Sequence, residues 1–413
     1  MAIFWRYPGF RWLWLGQLLS QLGNAIFSIL ALWEIQLKAP FLLSVAGLAM
    51  TVPSFLSIVG GAIVDRYDPR KVMLTTDILR GLAVLGGLVA VGRPGWLVGI
   101  MISLLGINAL GGAVFSPAEL VLVPRLVSPP DLTAANGWYS TTTQIASAVG
   151  SAVGGAAVVG LGIRVVFGLD MGSFWISAVT ILFVMRLVAA IRQPWDQGDS
   201  PSDGSGFWTR LQEGMRMFRQ LPVLARLLPA IVLGNFAFMA AFTMMPYWIH
   251  HHLHADALWY GLVDAGWSAG MMAGSVGAGL FRRWRLQPAM MGLSLAVGML
   301  TLGFALSPWP LLSTCLVVGA GAANGVINAV MMTLLQRLVP DAVKGRVFGI
   351  IMTLFGLANP LGSLAAGVFL HVLPLAWSWF LAAASVTVLA LNMWRMKDEF
   401  QALDQRHAAM QSR

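Results

Sequence analysis

Twelve apolar stretches, each long enough to cross a bilayer as a helix, run the length of this chain and constrain it more than any other feature. Stretches such as VFGLDMGSFWISAVTILFVM (166–185) and LLSTCLVVGAGAANGVINAVMMTLL (311–335) meet or exceed the roughly 20 apolar residues that span a hydrocarbon core. Barrel strands would instead be about ten residues of alternating polarity, so the spans read as helices. Only 10% of the 413 residues are charged, against about 25% in soluble domains, and the mean hydropathy is +0.76. The expected spans lie near 11–36, 41–64, 72–92, 95–118, 133–160, 163–187, 222–249, 257–281, 286–306, 309–334, 343–371 and 374–395. The first run is too long for a cleaved signal peptide and leads straight into a second, so it serves as its own insertion signal.

A net charge of +9 raises the question of anionic partners, and the placement of the charge answers it. Of the 26 Lys and Arg, all but Lys38, Arg93, Arg164 and Arg80 fall in even-numbered loops or at the termini. That is the positive-inside bias. It predicts a multi-pass protein of the cell membrane with both termini cytoplasmic, in contact with the lipid bilayer and with no nucleic-acid partner. The single cysteine, Cys315, excludes an intramolecular disulfide and thiol-metal clusters and reads as a small core residue.

Composition also divides the chain. Between spans six and seven, IRQPWDQGDSPSDGSG is a flexible polar linker. After it, Phe207, Trp208, Leu211, Met215 and Phe218 share a helical side, with Arg210, Arg216 and Arg219 available for headgroups, the pattern of a short surface helix. The expected parts are a six-helix half at 1–190, the linker with its interfacial helix at 191–221, a second six-helix half at 222–398 and a cytoplasmic tail at 399–413. One ungapped shift of 212 residues carries Arg125 onto Arg337, Gly137 onto Gly349, Gly150-Ser151 onto Gly362-Ser363 and Arg70-Lys71 onto Arg282-Arg283. Parallel six-span repeats are a transporter architecture with the substrate site near the midplane.

The most signed turn of the chain is GAIVDRYDPRK, Gly61 to Lys71. It resembles the loop motif of the major facilitator superfamily, in the form found in the drug and siderophore exporter branch (macrolide- and enterobactin-type). FSPAELVLVPRLV from Phe115, ANG from Ala135 and PDAVKGRVFG from Pro340 extend the resemblance along the chain. It implies an all-α membrane fold of two six-helix pseudo-repeats, and transport by alternating access rather than enzymatic chemistry. Gly61, Asp65, Arg66, Arg70 and Lys71 would then form a conformational latch at the cytoplasmic rim. The alternative is that the basic residues only fix topology while Asp65 and Asp68 cap a helix. QIASAVGSAVGGAAV in span five resembles the antiporter motif of drug exporters, with Ala146 for one Gly and Ser151 for the Pro. It makes Gly150, Ser151, Gly154 and Gly155 an expected seam between the halves.

Polar side chains inside spans are costly unless they face protein or water. Gln17, Gln21, Asn24 and Ser28 form one stripe on span one. With Asn108, Gln144, Asn235, Asn324 and Asn328 they are the expected substrate-cavity residues; interhelical hydrogen bonding is the competing role. Among the acids, Glu34 is placed for an i,i+4 pair with Lys38, Asp77 for a pair with Arg80, and Glu119 for solvent at a helix end, while the resemblance implies a packing or capping role for Asp170. Asp264 has no Lys or Arg within fifteen positions, and a carboxyl without a counter-charge in a low dielectric holds its proton more tightly. Asp264 is therefore the first proton-coupling candidate, with Glu34 and Asp77 behind it. The run His250-His251-His252 with His254 suits either solvent or a metal, and no resident metal or cofactor is expected.

Without a G-x-x-x-x-G-K-[ST] loop or a sizeable soluble domain, an ATP-driven pump is disfavoured. The leading expectation is a monomeric secondary transporter that couples protons to efflux of amphipathic small molecules. The alternatives are a lysophospholipid or other lipid transporter of the same fold, and a transport-inactive receptor.

Overall fold

The computed structural model describes residues 2–93, 95–189, 222–279, 286–338, 344–372, 374 and 376–397. The expected linker and surface helix, the Arg282-Arg283 pair and the tail lie outside them. Every regular element among the described residues is helical. After a short α1 (Ala2–Arg6), the helices of the first half are α2 (Pro8–Lys38), α3 (Leu43–Thr51), α4 (Ser57–Arg66), α5 (Pro69–Ala90), α6 (Leu97–Leu126), α7 (Leu132–Gly160) and α8 (Ile163–Ala189). Those of the second are α9 (Pro222–Thr243), α10 (Met245–His251), α11 (Ala257–Gly277), α12 (Leu286–Leu306), α13 (Pro310–Leu338), α14 (Lys344–Val372) and α15 (Ala376–Arg395). Ten of the spans are long and apolar enough to cross a membrane. The other two are α11 and the second span, and together they make the twelve-span arrangement.

Local chemistry sets many of the boundaries. Pro8, Pro69, Pro222 and Pro310 open helices, where the missing N–H costs nothing. Asp68 caps α5 by accepting from the Arg70 backbone N–H at 3.0 Å. The α7–α8 turn passes through Gly162 at φ +77°, a left-handed position that suits Gly after a helix end.

Two expected spans are broken. The 41–64 run is not one helix: residues Val52–Leu56 form a 3-10 segment around Pro53, whose missing donor interrupts the α-helical ladder. Hydroxyls of Thr51, Ser54 and Ser57 bond the carbonyls of Gly47, Thr51 and Ser54 there. The 222–249 run divides at Met244 into α9 and α10. By contrast, the internal repeat is visible in the helix limits: the 212-residue shift lays Leu132–Gly160 end for end on Lys344–Val372, and ends α6 and α13 together at Leu126 and Leu338.

Two compact units form. The first contains the described residues to 189 together with 249–265, and the second contains 222–248 and those from 266 onward. The N-terminal part of α11 thus packs with the first six spans, although in sequence it belongs to the second half. In the first unit α2 lies against α7 and α8, and α5 against α6 and α8; in the second, α9 meets α14 and α15, and α12 meets α13 and α15. Phe10, Leu13, Met73, Phe115 and Ile181 fill one core, and Leu227, Met290, Val297 and Met393 another. Large apolar side chains such as Leu82, Val89, Val153, Leu306, Leu361 and Val368 are exposed. On a soluble protein such a belt would be an aggregation hazard; here it matches hydrocarbon. Cys315 is exposed as well, which corrects its expected place in the core.

Candidate functional site

The second unit encloses a cavity of ≈ 550 Å³. Its polar wall is made by Asn235 of α9 and by Asn324 and Asn328 of α13, and its apolar wall by Phe238, Trp267, Met271, Met331 and Phe355 among others. The amides are held in place within their own helices. Asn235 Nδ2 donates to the Ile231 carbonyl at 3.0 Å, and Asn328 Nδ2 donates to the Asn324 side chain and carbonyl. Behind Phe238 the rings continue through Trp267, Phe242 and Trp379 at centroid separations of 5.8, 4.9 and 5.9 Å. Such a mostly apolar hollow with a few fixed polar groups is the usual form of a small-molecule site.

The span-one stripe belongs to the other unit. Gln17 is buried, Gln21 and Asn24 are half-buried, and the Ser28 hydroxyl turns back to the Asn24 carbonyl at 2.8 Å. Gln144 is half-buried on α7. Asn108 has a different setting: its carbonyl accepts from Arg80 at 2.6 Å, within a charged cluster.

That cluster joins α5, α6 and α8. Arg80 lies 3.8 Å from Asp77 Oδ1, with its guanidinium carbon 5.9 and 5.4 Å from the ring centres of Phe115 and Phe174. Ser177 donates to Asp77 at 2.6 Å, and Asp170 is fully buried beside them. Glu119, expected in solvent, sits inside α6, with its Oε1 shielded and Tyr139 next to it.

Asp264 accepts a 2.6 Å hydrogen bond from Ser151, the residue that stands where the antiporter motif has Pro. Close backbone packing brings the two together: a Cβ on Gly155 would lie 2.6 Å from the Ala257 carbonyl, and one on Gly261 2.3 Å from that of Ser151. Gly150 and Gly154 face the other way, against Leu22, Ala25, Ile26 and Ile29 of α2. The span-five glycines therefore serve two seams, one with α2 and one with α11. A third seam was missed from the sequence. Gly270 and Gly274 of α11 interleave with Gly321 and Gly325 of α13, where an added Cβ would come within 2.6 Å of a facing carbonyl. The i,i+4 glycine spacing on both helices was the available signal.

At the signed turn, Arg70 pairs with Asp68 at 2.6 Å, while Arg66 and Lys71 are exposed. Burial pushes the Asp68 carboxyl up, but the side-chain and backbone hydrogen bonds of Arg70 outweigh it and hold the group below its ordinary value. The side chain of Asp65 is outside the described atoms. Gly61 makes no close approach, since a Cβ there meets nothing within 4 Å; Gly60, on the adjoining face, would press 2.3 Å from the Ala113 carbonyl.

Glu34 pairs with Lys38. His250 packs edge-on to Trp33, which stacks on Tyr260 at 6.2 Å. Burial, with His250 and His254 nearby, pulls the His251 imidazole below its ordinary value. No group of three His, Cys, Asp or Glu able to hold a metal occurs among the described residues.

Comparison with known proteins places this geometry. The chain is 25% identical over 412 residues to macrolide efflux protein A of Streptococcus pyogenes, covering 96% of this chain and 97% of that one. It is 27% identical over 341 residues to the multidrug efflux pump Tap of Mycobacterium bovis, covering 78% and 77%. In fold it is similar to a bacterial homologue of the iron transporter ferroportin in its inward-facing state, with a TM-score of 0.72, 16% identity and coverage of 94% and 98%. A peptide transporter of the POT type gives 0.70 at 12% identity, covering 95% of each chain. A family model for the Major Facilitator Superfamily, a family of transporters, matches residues 13–363, most of the twelve-span fold. This multi-pass membrane protein belongs to the Major Facilitator Superfamily.

Proposed function

We propose that the chain exports amphipathic small molecules, in exchange for protons, by alternating access across the cell membrane, with both termini cytoplasmic and as a monomer. The observation that carries this reading is the cavity of the second unit, in which three amides converge on aromatic and methionine side chains. Polarizable Met and flat rings accept varied apolar bodies, and amides meet a polar group of either hydrogen-bonding sense. The efflux names of the two relatives support the direction. Asp264 is the proposed coupling carboxyl: it is isolated from Lys and Arg in sequence and held by Ser151. The turn at Arg66, Arg70 and Lys71, with Asp65, is proposed to hold the inner rim closed in one state.

The test is expression in an efflux-deficient bacterial host against a panel of macrolides, dyes and cationic drugs. The reading predicts resistance to several compounds, abolished by a protonophore and reduced by Asn324→Leu. Normal susceptibility combined with restored lysophospholipid uptake would replace it with lipid transport.

A further inference from the structure

The first unit contains a second carboxyl whose surroundings call for a proton, far along the chain from Asp264 and independent of any role for it. Asp77 of α5 and Asp170 of α8 are both wholly buried, and Arg80 is the cation that interacts with both. Arg80 is already committed. It donates to the Asn108 carbonyl, lies 3.8 Å from Asp77 and is flanked by two rings. Its guanidinium is also confined, for a Cβ on Gly111 would sit 2.0 Å from Nε. Ser177 also donates to Asp77 Oδ2, which leaves Asp77 with one unpartnered oxygen where Asp170 has two.

Asp170 shares the charge of Arg80 but makes no ion pair or hydrogen bond with it. Neither of its oxygens has a hydrogen-bond donor. On one side Oδ1 looks onto Gly23 of α2, where an added Cβ would lie 3.2 Å away. On another it adjoins the Asn108 side chain, whose own Oδ1 is likewise buried without a donor. Two carboxylates against one guanidinium leave an uncompensated negative charge in a dry core, which is strongly unfavourable. A buried carboxylate with no hydrogen-bond donor on either oxygen is a second, separate cost. A single proton on Asp170 removes both, because it neutralises the excess charge and supplies the missing O–H. The other titratable group recorded near the cluster, Glu119, is an acid and supplies no counter-charge. From α5 the Asp170 carboxyl is faced by Arg80 and, behind it, Asp77; Glu119 of α6 senses Asp77. From α2 it is met by the Gly23 backbone.

We propose that Asp170, set against Asp77, Arg80 and Asn108, is a proton-binding site of the first unit. The site takes a proton from water and returns it when Arg80 and Asn108 shift relative to α8, with no other co-reactant.

The experiment uses the purified full chain in detergent. Infrared spectra in the region of the protonated carboxyl C=O stretch are recorded for the parent protein, Asp170→Asn and Asp264→Asn, and melting temperatures for the same set with Asp77→Asn. The site predicts a band present in the parent and in Asp264→Asn but absent from Asp170→Asn. It also predicts that Asp170→Asn melts close to the parent, since an amide replaces a neutral group of the same shape, whereas Asp77→Asn melts lower because Arg80 loses its counter-charge. An unchanged band in Asp170→Asn overturns the site. So does an Asp170→Asn protein that melts as low as Asp77→Asn or fails to fold, because that loss marks an ionised, paired Asp170.

Discussion

Asp68 illustrates how much depends on one side chain at the water-facing edge of the fold. It caps α5 and holds Arg70, and those bonds keep its carboxyl below the ordinary 3.8. A depressed folded value means that its stabilisation is complete above 3.8 and disappears as pH falls through the lower value. Asp68→Ala is expected to cost about 1 kcal/mol at neutral pH, and thermal melts should show the gap to the parent closing in acid; a constant gap would deny the linkage. Single residues were also where the sequence was least legible. Composition marks Gly61 and Gly60 alike, and a rotation of one residue decides which faces the Ala113 carbonyl. Asp77, Glu119 and Asp170 stand far apart in the chain, so no spacing rule could reveal that folding buries them in one neighbourhood, whereas the Glu34–Lys38 pair is local and could be read.

Elements are placed by glycine seams as much as by apolar matching, because lipid tails compete equally for apolar faces. Helix α7 is clasped on one face by α2 through Gly150 and Gly154 and on another by α11 through Gly155. Gly155→Val is therefore expected to overpack the second contact by about 1–3 kcal/mol. Gly172→Ala, with nothing within 4 Å of the new carbon, should match or exceed the parent in a detergent melt. Equal melts for the two variants would mean the α7–α11 seam is not close-packed in solution. On the third seam, Gly274→Ala brings a carbon to 1.9 Å from the Ala322 carbonyl. It should lower the melting temperature, while Gly277→Ala, which meets nothing, should not. Helix positions were largely legible, since long apolar runs bounded by charge admit few alternatives. The break at Pro53 was not, because the residues on both sides of it are apolar enough to extend the run.

In the whole molecule, two six-span repeats have diverged in what they bury. One holds acids and a trapped arginine; the other holds a hollow lined with amides, rings and methionines. The amides at 235, 324 and 328 could be found in advance because any amide inside a span needs a reason, while the grouping of 249–265 with the first unit depends on contacts that no local pattern carries. The central claim is that a proton gradient drives an amphipathic solute through this molecule by way of Asp264. Its most direct measurement is uptake of a fluorescent amphipathic cation into proteoliposomes under an imposed pH gradient, at zero membrane potential, for the parent and Asp264→Asn. The account predicts gradient-dependent uptake by the parent, collapse with a protonophore, and loss of the gradient dependence in Asp264→Asn while dye binding persists. Uptake driven equally well by the pH gradient in Asp264→Asn, or indifferent to the gradient in the parent, would contradict it.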